Sequence, residues 1–265
     1  MTNQVIKAWH KFSMLIAVFL LAITFSGCAQ QTDEKYFPFF EDGKWGYLDN
    51  KGVRVIEPKF GGGGDFFEGR AIIVENGHGG YINGKGEIVV KTEYDGVNHF
   101  SEGLASVMLN DKWGFIDKQG KMVIPPNYAI AQKFKNGRSR TKISTSLLIK
   151  WGYIDKTGKE VIPAIYEDAA DFSEGLAMVS IKGKFGYIDT NGKVVIPAIY
   201  EIGAIEKIND IPVYNTGNFQ EGLAAVSLDG KFGFINTKGE IVIKPQYTYV
   251  GGFSEGLSVY GINEK

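Results

Sequence analysis

One cysteine in 265 residues excludes an intrachain disulfide. Proline is also scarce, at 8 residues against 35 glycines, which rules out a proline-rich or collagen-like tract and assigns the glycines to ordered turns. No excess of positive charge is available to hold a polyphosphate. The formal net charge is −1, and a chain that began at residue 28 would lose Lys7 and Lys11 and sit near −3. Nucleic acid is therefore not an expected partner. Long apolar runs are missing too: residues 14–25 (MLIAVFLLAITF) make a stretch of 12, short for a membrane-spanning helix. What remains is the composition of a folded protein, 44% hydrophobic and 22% charged, with 13% aromatics that favour β-structure.

The N-terminus has three zones. Lys7, His10 and Lys11 open it, the apolar stretch follows, and Phe25-Ser26-Gly27-Cys28 closes it. The pattern fits a signal peptide whose apolar centre is removed with it. The closing tetrapeptide resembles the bacterial lipobox, with small residues before the cysteine and Phe25 where leucine is usual. That resemblance implies a lipoprotein signal peptide over residues 1–27 and acylation of Cys28. A lipidated polar tether, residues 28–35, then leads into the repeat domain. Several acyl chains, at about 0.8 kcal/mol per buried CH₂, make such anchoring effectively permanent. The expected location is the cell membrane or outer membrane, facing away from the cytoplasm.

Residues 36–265 repeat themselves. The position of Trp113 recurs at Trp45, Gly79, Trp151, Phe185 and Phe232, at intervals of 34, 34, 38, 34 and 47 residues. Each copy has the same local grammar. A first strand such as 104–109, 176–181 or 223–228 leads through a polar turn into a second (45–49, 113–117, 151–155, 185–189, 232–236). Asp or Asn ends that second strand, and Gly follows three residues later (Gly52, Gly86, Gly120, Gly158, Gly192, Gly239), which is tight-turn chemistry. A third strand such as 122–124 or 194–196 comes next, and then Tyr and Phe bracket a connection: Tyr94/Phe100, Tyr128/Phe134, Tyr166/Phe172, Tyr247/Phe253. The combination KWG-F-I-D, G-K-x-V-I-P and F-S-E-G-L-A resembles the bacterial WG-repeat (KWG) family. That family implies tandem β-units in envelope and other bacterial proteins, and brings no catalytic residues.

Three short strands cannot bury both of their apolar faces alone, so neighbouring units must cover them. The expected fold is all-β: about six tandem three-stranded units of about 34 residues and a partial seventh, stacked in an open solenoid-like array. A β-propeller is the alternative, with the leftover strand (FSEGLSVYG) closing the ring. The open array is preferred because unequal spacings are absorbed more easily there. The recurring Trp/Phe series is expected to form an internal ladder.

Chemistry is thinly supplied. The Ser-Glu pairs (Ser101/Glu102, Ser173/Glu174, Ser254/Glu255) recur with the period, as turn residues do and a singular active site does not. The aspartates at 49, 117, 155 and 189 stand alone in their turns, without the further oxygen ligands of a calcium loop. His78 and His99 have no zinc partners. Residues 79–85 (GGYINGK) imitate a phosphate loop, yet lie in a strand and hairpin. No catalytic residue, metal or cofactor is expected. Two interruptions of the repeat attract attention. One is 133–142 (KFKNGRSRTK), where Arg138, Arg140 and Lys142 alternate along a strand and form a candidate anion-binding stripe. The other is the insertion 201–218, which carries Glu201, Glu206 and Asp210. The expected function is a non-enzymatic binding or scaffolding module at the cell envelope, joined to the membrane through Cys28, with an envelope protein, peptide or polymer as partner. The alternatives are a glycan- or peptide-acting hydrolase and a purely structural envelope component.

Overall fold

Every regular element among the described residues is a β-strand. The computed structural model describes residues 35–142, 150–201, 207–208, 211–212, 217–258 and 260–261. Residues 1–34, which hold the expected signal peptide, Cys28 and all of the expected tether but its last residue, lie outside them, as do Glu206 and Asp210.

Each repeat folds into one antiparallel meander. In the third sheet, Leu104–Leu109, Lys112–Asp117 and Met122–Tyr128 lie side by side, and the short Gly96–Val97 adds a fourth strand from the connection. The second and fourth sheets also have four strands, whereas the first, fifth and sixth have three. The unit is thus a three-stranded meander to which the preceding connection contributes a short strand or an isolated bridge, such as Ala169 to Val179.

The third strand is longer than expected and bulged. Trp113 pairs with Tyr128 but Phe115 with Ile124, so two steps on one strand face four on the other. Pro125 and Pro126 sit in this bulge, on the edge strand, where a missing N–H is tolerated. The bulge explains the glycine after each tryptophan. A Cβ on Gly114 would lie 2.5 Å from the Ile124 carbonyl oxygen and 2.7 Å from Pro126 N. Gly46, Gly152 and Gly186 meet the same backbone at 2.6, 2.7 and 2.5 Å. No side chain fits there.

The core lies between sheets rather than within them. One cluster joins Tyr47, Ile56 and Phe60 of the first sheet to Ala71, Ile73 and Ile82 of the second. Five further clusters do the same for each successive pair. At the centre of every interface, an aromatic of the second strand packs on the phenylalanine of the following connection. These pairs are Tyr47–Phe66, Tyr81–Phe100, Phe115–Phe134, Tyr153–Phe172, Tyr187–Phe219 and Phe234–Phe253, with ring centroids 4.7 to 5.1 Å apart. This is the internal ladder, and it sits two residues beyond the Trp series. Trp151, Phe185 and Phe232 are buried, but Trp45 and Trp113 are only half-buried, and Val97 fills the place that Gly79 leaves. Residues two apart on a strand share a face, but the WG residue lies nearer the strand end and closes the core less completely.

Three further contacts recur between neighbours. A turn glutamate bonds the next turn's backbone: Glu68 accepts from the amides of Glu102 and Gly103 at 2.6 and 2.9 Å, Glu102 from Gly137, Glu174 from Gly222, and Glu221 from Glu255 and Gly256. Burial opposes the charge on Glu68, yet Lys118 and those amides hold its carboxyl below the usual carboxylate range. An arginine reaches the next sheet's turn: Arg70 Nε donates to Lys118 O at 3.1 Å and Arg138 Nε to Thr190 O at 2.8 Å. Each turn glycine rests on the preceding sheet, so that a Cβ on Gly120 or Gly158 would meet Val90 or Ile124 at 3.1 or 3.0 Å. Gly52, in the first sheet, has nothing within 4 Å. The leftover strand does not complete that first sheet. Tyr260–Gly261 pairs with Tyr249–Val250 and begins a seventh sheet, while Phe37–Glu41 already holds the corresponding place in the first.

Candidate functional site

The sequence marks Arg138, Arg140 and Lys142 as co-facing cations, and the structure gives each its own partner. Arg138 precedes the strand Ser139–Lys142 and serves as the strap to Thr190. Arg140 Nε donates to Asp171 Oδ1 at 2.8 Å, its Nη1 donates to the Ala169 carbonyl, and its guanidinium lies 4.8 Å from the Trp151 ring centre. Lys142 Nζ stands 4.4 Å from the same ring. Such cation–aromatic contacts are worth about 0.5–2 kcal/mol. Of the three cations only Arg140 pairs with a carboxylate among the described residues, while Arg138 meets a backbone carbonyl and Lys142 an aromatic ring. Arg70 shares the role of Arg138, and only the structure reveals it.

The repeated polar residues are engaged in turns. Ser101 bridges Leu104, with Glu102 and Gly103 at φ 53° and 88°, a two-residue hairpin of the type that needs positive φ at both central places. Ser101 Oγ donates to Phe134 O, and Ser173 Oγ to Phe219 O, both at 2.7 Å. Asp117 Oδ1 accepts from the amides of Gln119 and Lys121 at 2.9 Å, and Asp49, Asn83, Asp155, Asp189 and Asn236 repeat the geometry. The amides of Val53 and Lys51 hold the Asp49 carboxyl below its ordinary range. Residues 79–85 run from the strand His78–Ile82 into such a turn, with no helix following. His78 faces Asp95 at 3.6 Å on the surface, whereas His99 packs at a tilt of 42° against Phe67, ring centroids 4.1 Å apart. Burial lowers the His99 pKa. Glu201 pairs with Lys184 at 2.8 Å. No group of three or more metal-ligating side chains occurs among the described residues.

A groove of about 230 Å³ opens beside Arg140, lined by Lys135, Asp168, Asp171, Asn218 and Gln220 above Phe172. A second, of about 310 Å³, shares Asn218 and Gln220 and runs over Phe234, Gly252 and Phe253. The connections between sheets supply most of these groups; the sequence had pointed to the stretches 133–142 and 201–218, which hold Lys135, Arg140 and Asn218, but not to Asp168, Asp171 or Gln220. Charge in the first groove is balanced, two cations against two carboxylates, with Arg140 and Asp171 paired. Tyr153 donates its hydroxyl to the carbonyl of Ala170, one of the lining residues, at 2.7 Å, and burial raises its pKa.

Fold and site together define a tandem β-repeat protein whose variable polar groups gather in the connections. The WG-containing repeat family matches residues 45–77, 80–113, 113–144, 151–185, 185–202, 214–232 and 232–265, and the chain belongs to it. A search of curated proteins gives no match. Among solved structures, a eukaryotic initiation factor is similar in fold, at 11% identity and a TM-score of 0.53, over 82% of this chain and 64% of that one. The chain thus spans just under two thirds of that protein. Hsv2 of Kluyveromyces lactis gives a TM-score of 0.44 at 12% identity, over 77% of this chain and 71% of its own. PorZ, a bacterial surface component of the type-IX secretion system of Porphyromonas gingivalis, gives 0.37 at 9%, over 79% and 31%.

Proposed function

We propose that this protein is an exported, lipid-anchored repeat protein that works as a non-enzymatic binding module at the cell envelope. One observation carries the binding reading. Polar side chains that recur with the period hold turns or join sheets, while those lining the grooves over Phe172 and Phe253, Ser173 apart, do not recur. A scaffold that spends its repeated polar groups on itself and leaves singular ones around a cleft is built to present a surface. Anchoring rests on residues 1–28: an apolar segment of 12 residues ending in Phe25-Ser26-Gly27-Cys28. In this reading the mostly polar residues 29–35 serve as the tether between anchor and repeat domain.

The test separates anchor from binding. Cys28→Ser is expected to abolish acyl labelling and to move the protein from the membrane to the soluble fraction. The released protein is then titrated against isolated sacculi, lipopolysaccharide and envelope proteins, and saturable binding to one fraction is expected. A Cys28→Ser protein that is still labelled would refute the anchor. Absence of binding to every fraction would leave a purely structural component.

A further inference from the structure

The residue before each ladder phenylalanine occupies the same place in successive repeats and yet does not repeat. Asp65, His99, Lys133, Asp171, Asn218 and Gly252 precede Phe66, Phe100, Phe134, Phe172, Phe219 and Phe253. Each phenylalanine is fixed on the aromatic of the sheet before it, so the preceding residues form a row that crosses the sheets. Members of the row sense one another: Asp65 and Lys133 act in opposite directions on the charge of His99. Asp171 and Asn218 line the same groove.

Unsatisfied polar atoms concentrate on this row. Among the described residues, three buried side-chain polar atoms have no hydrogen-bond partner, and two of them are His99 Nδ1 and Asn218 Oδ1. A buried polar atom without a partner is costly, and folded proteins keep few of them. Asn218 stands where the two grooves meet. The signs along the row are mixed, with carboxylates at 65 and 171, an ammonium at 133 and an amide at 218. Neither a polyanion nor a polycation matches such a line. A hydroxyl does, because it donates one hydrogen bond and accepts two, and so satisfies an amide oxygen and an imidazole nitrogen alike once the partly buried side chain turns its enclosed atom outward. Phe253, half-buried in the second groove, adds an apolar surface beside Asn218.

We infer that the row from Asp65 to Asn218 is a binding track for an uncharged polyhydroxylated chain, an oligosaccharide segment, seated deepest at Asn218. The inference rests on the binding reading above and names its ligand class. The full-length lipidated chain in detergent is applied to an array that carries neutral oligosaccharides, sulfated and carboxylated glycans, and extended peptides. Binding to neutral oligosaccharides is expected. Asn218→Leu and His99→Leu are each expected to weaken it at least tenfold while the melting temperature stays level or rises, since each removes an orphaned polar atom. Should one variant lose its cooperative melt, the other still reports. Neutral-glycan binding that both variants retain would overturn the track, as would binding confined to anionic glycans. Binding to peptides alone would overturn the sugar and leave the envelope-binding reading standing, since that reading falls only if isolated envelope fractions fail to bind.

Discussion

The interface between the fourth and fifth sheets and the one between the third and fourth solve one problem by opposite means. In the former, Tyr153 reaches through the core and donates its hydroxyl to Ala170 O at 2.7 Å, over a small Ala177. In the latter, Phe115 has no hydroxyl, and Ser139, in the place of Ala177, donates to the equivalent carbonyl of Gln132 at 2.6 Å. The exchange is consistent across the array. Tyr47, Tyr81 and Tyr187 bond Gly64, Asn98 and Gly217, and their partner positions are Ala71, Ala105 and Ala224. Phe234 goes with Ser258, which bonds Gly251 at 2.9 Å. A carbonyl bent inward by the connection needs a donor in every repeat, and a buried acceptor left alone costs about 1–3 kcal/mol. The donor arrives from either side of the interface.

This comparison is broken most severely by truncation. Tyr153→Ala and Phe115→Ala are each expected to cost about 3–5 kcal/mol in denaturant unfolding, because ring burial is common to both designs. A loss at only one of them would mean that the ladder is not uniform. The exchange itself is tested by swapping. Tyr153→Phe and Ala177→Ser alone should each destabilise, the first by about 1–3 kcal/mol through the stranded Ala170 carbonyl. The double variant should return to within about 0.5 kcal/mol of the parent, which a double-mutant cycle resolves. Strict additivity would show that the two residues do not serve one acceptor. The smallest effect is alkaline. Burial raises the Tyr153 pKa above its ordinary 10.0 and lifts that of Tyr47 to about 12. A tyrosine whose folded pKa is raised stabilises the fold below its unfolded value, and that contribution is lost as pH climbs past 10 because the unfolded chain ionises first. Melting curves above pH 10 should therefore fall less steeply for the Tyr153→Phe/Ala177→Ser variant than for the parent.

Much of this was legible in residues. Strands expected at 104–109, 176–181 and 223–228 are the strands Leu104–Leu109, Leu176–Ile181 and Leu223–Leu228. Alternation and turn chemistry act locally and so declare themselves in sequence. Third strands expected at 122–124 and 194–196 instead run to Tyr128 and Tyr200, since a proline ordinarily stops a strand and here sits in an edge bulge. The candidate site was less legible. Alternation along the strand brought Arg138, Arg140 and Lys142 together in the sequence, but not their partners Thr190, Asp171 and Trp151, which lie 52, 31 and 9 residues further along the chain.

The sequence by itself determined the period, the hairpin turns, the need of each sheet for a neighbour, and membership of the WG-repeat family, because all of these rest on contacts within one repeat or on its recurrence. Only the tertiary structure decided which aromatics form the ladder, why glycine must follow each tryptophan, how Tyr/Ala trades for Phe/Ser, and where unpartnered polar atoms line up. Those depend on atoms that the bulged strands and the packing of one sheet on the next bring within a few ångströms, and the spacing of residues along a chain does not specify such distances.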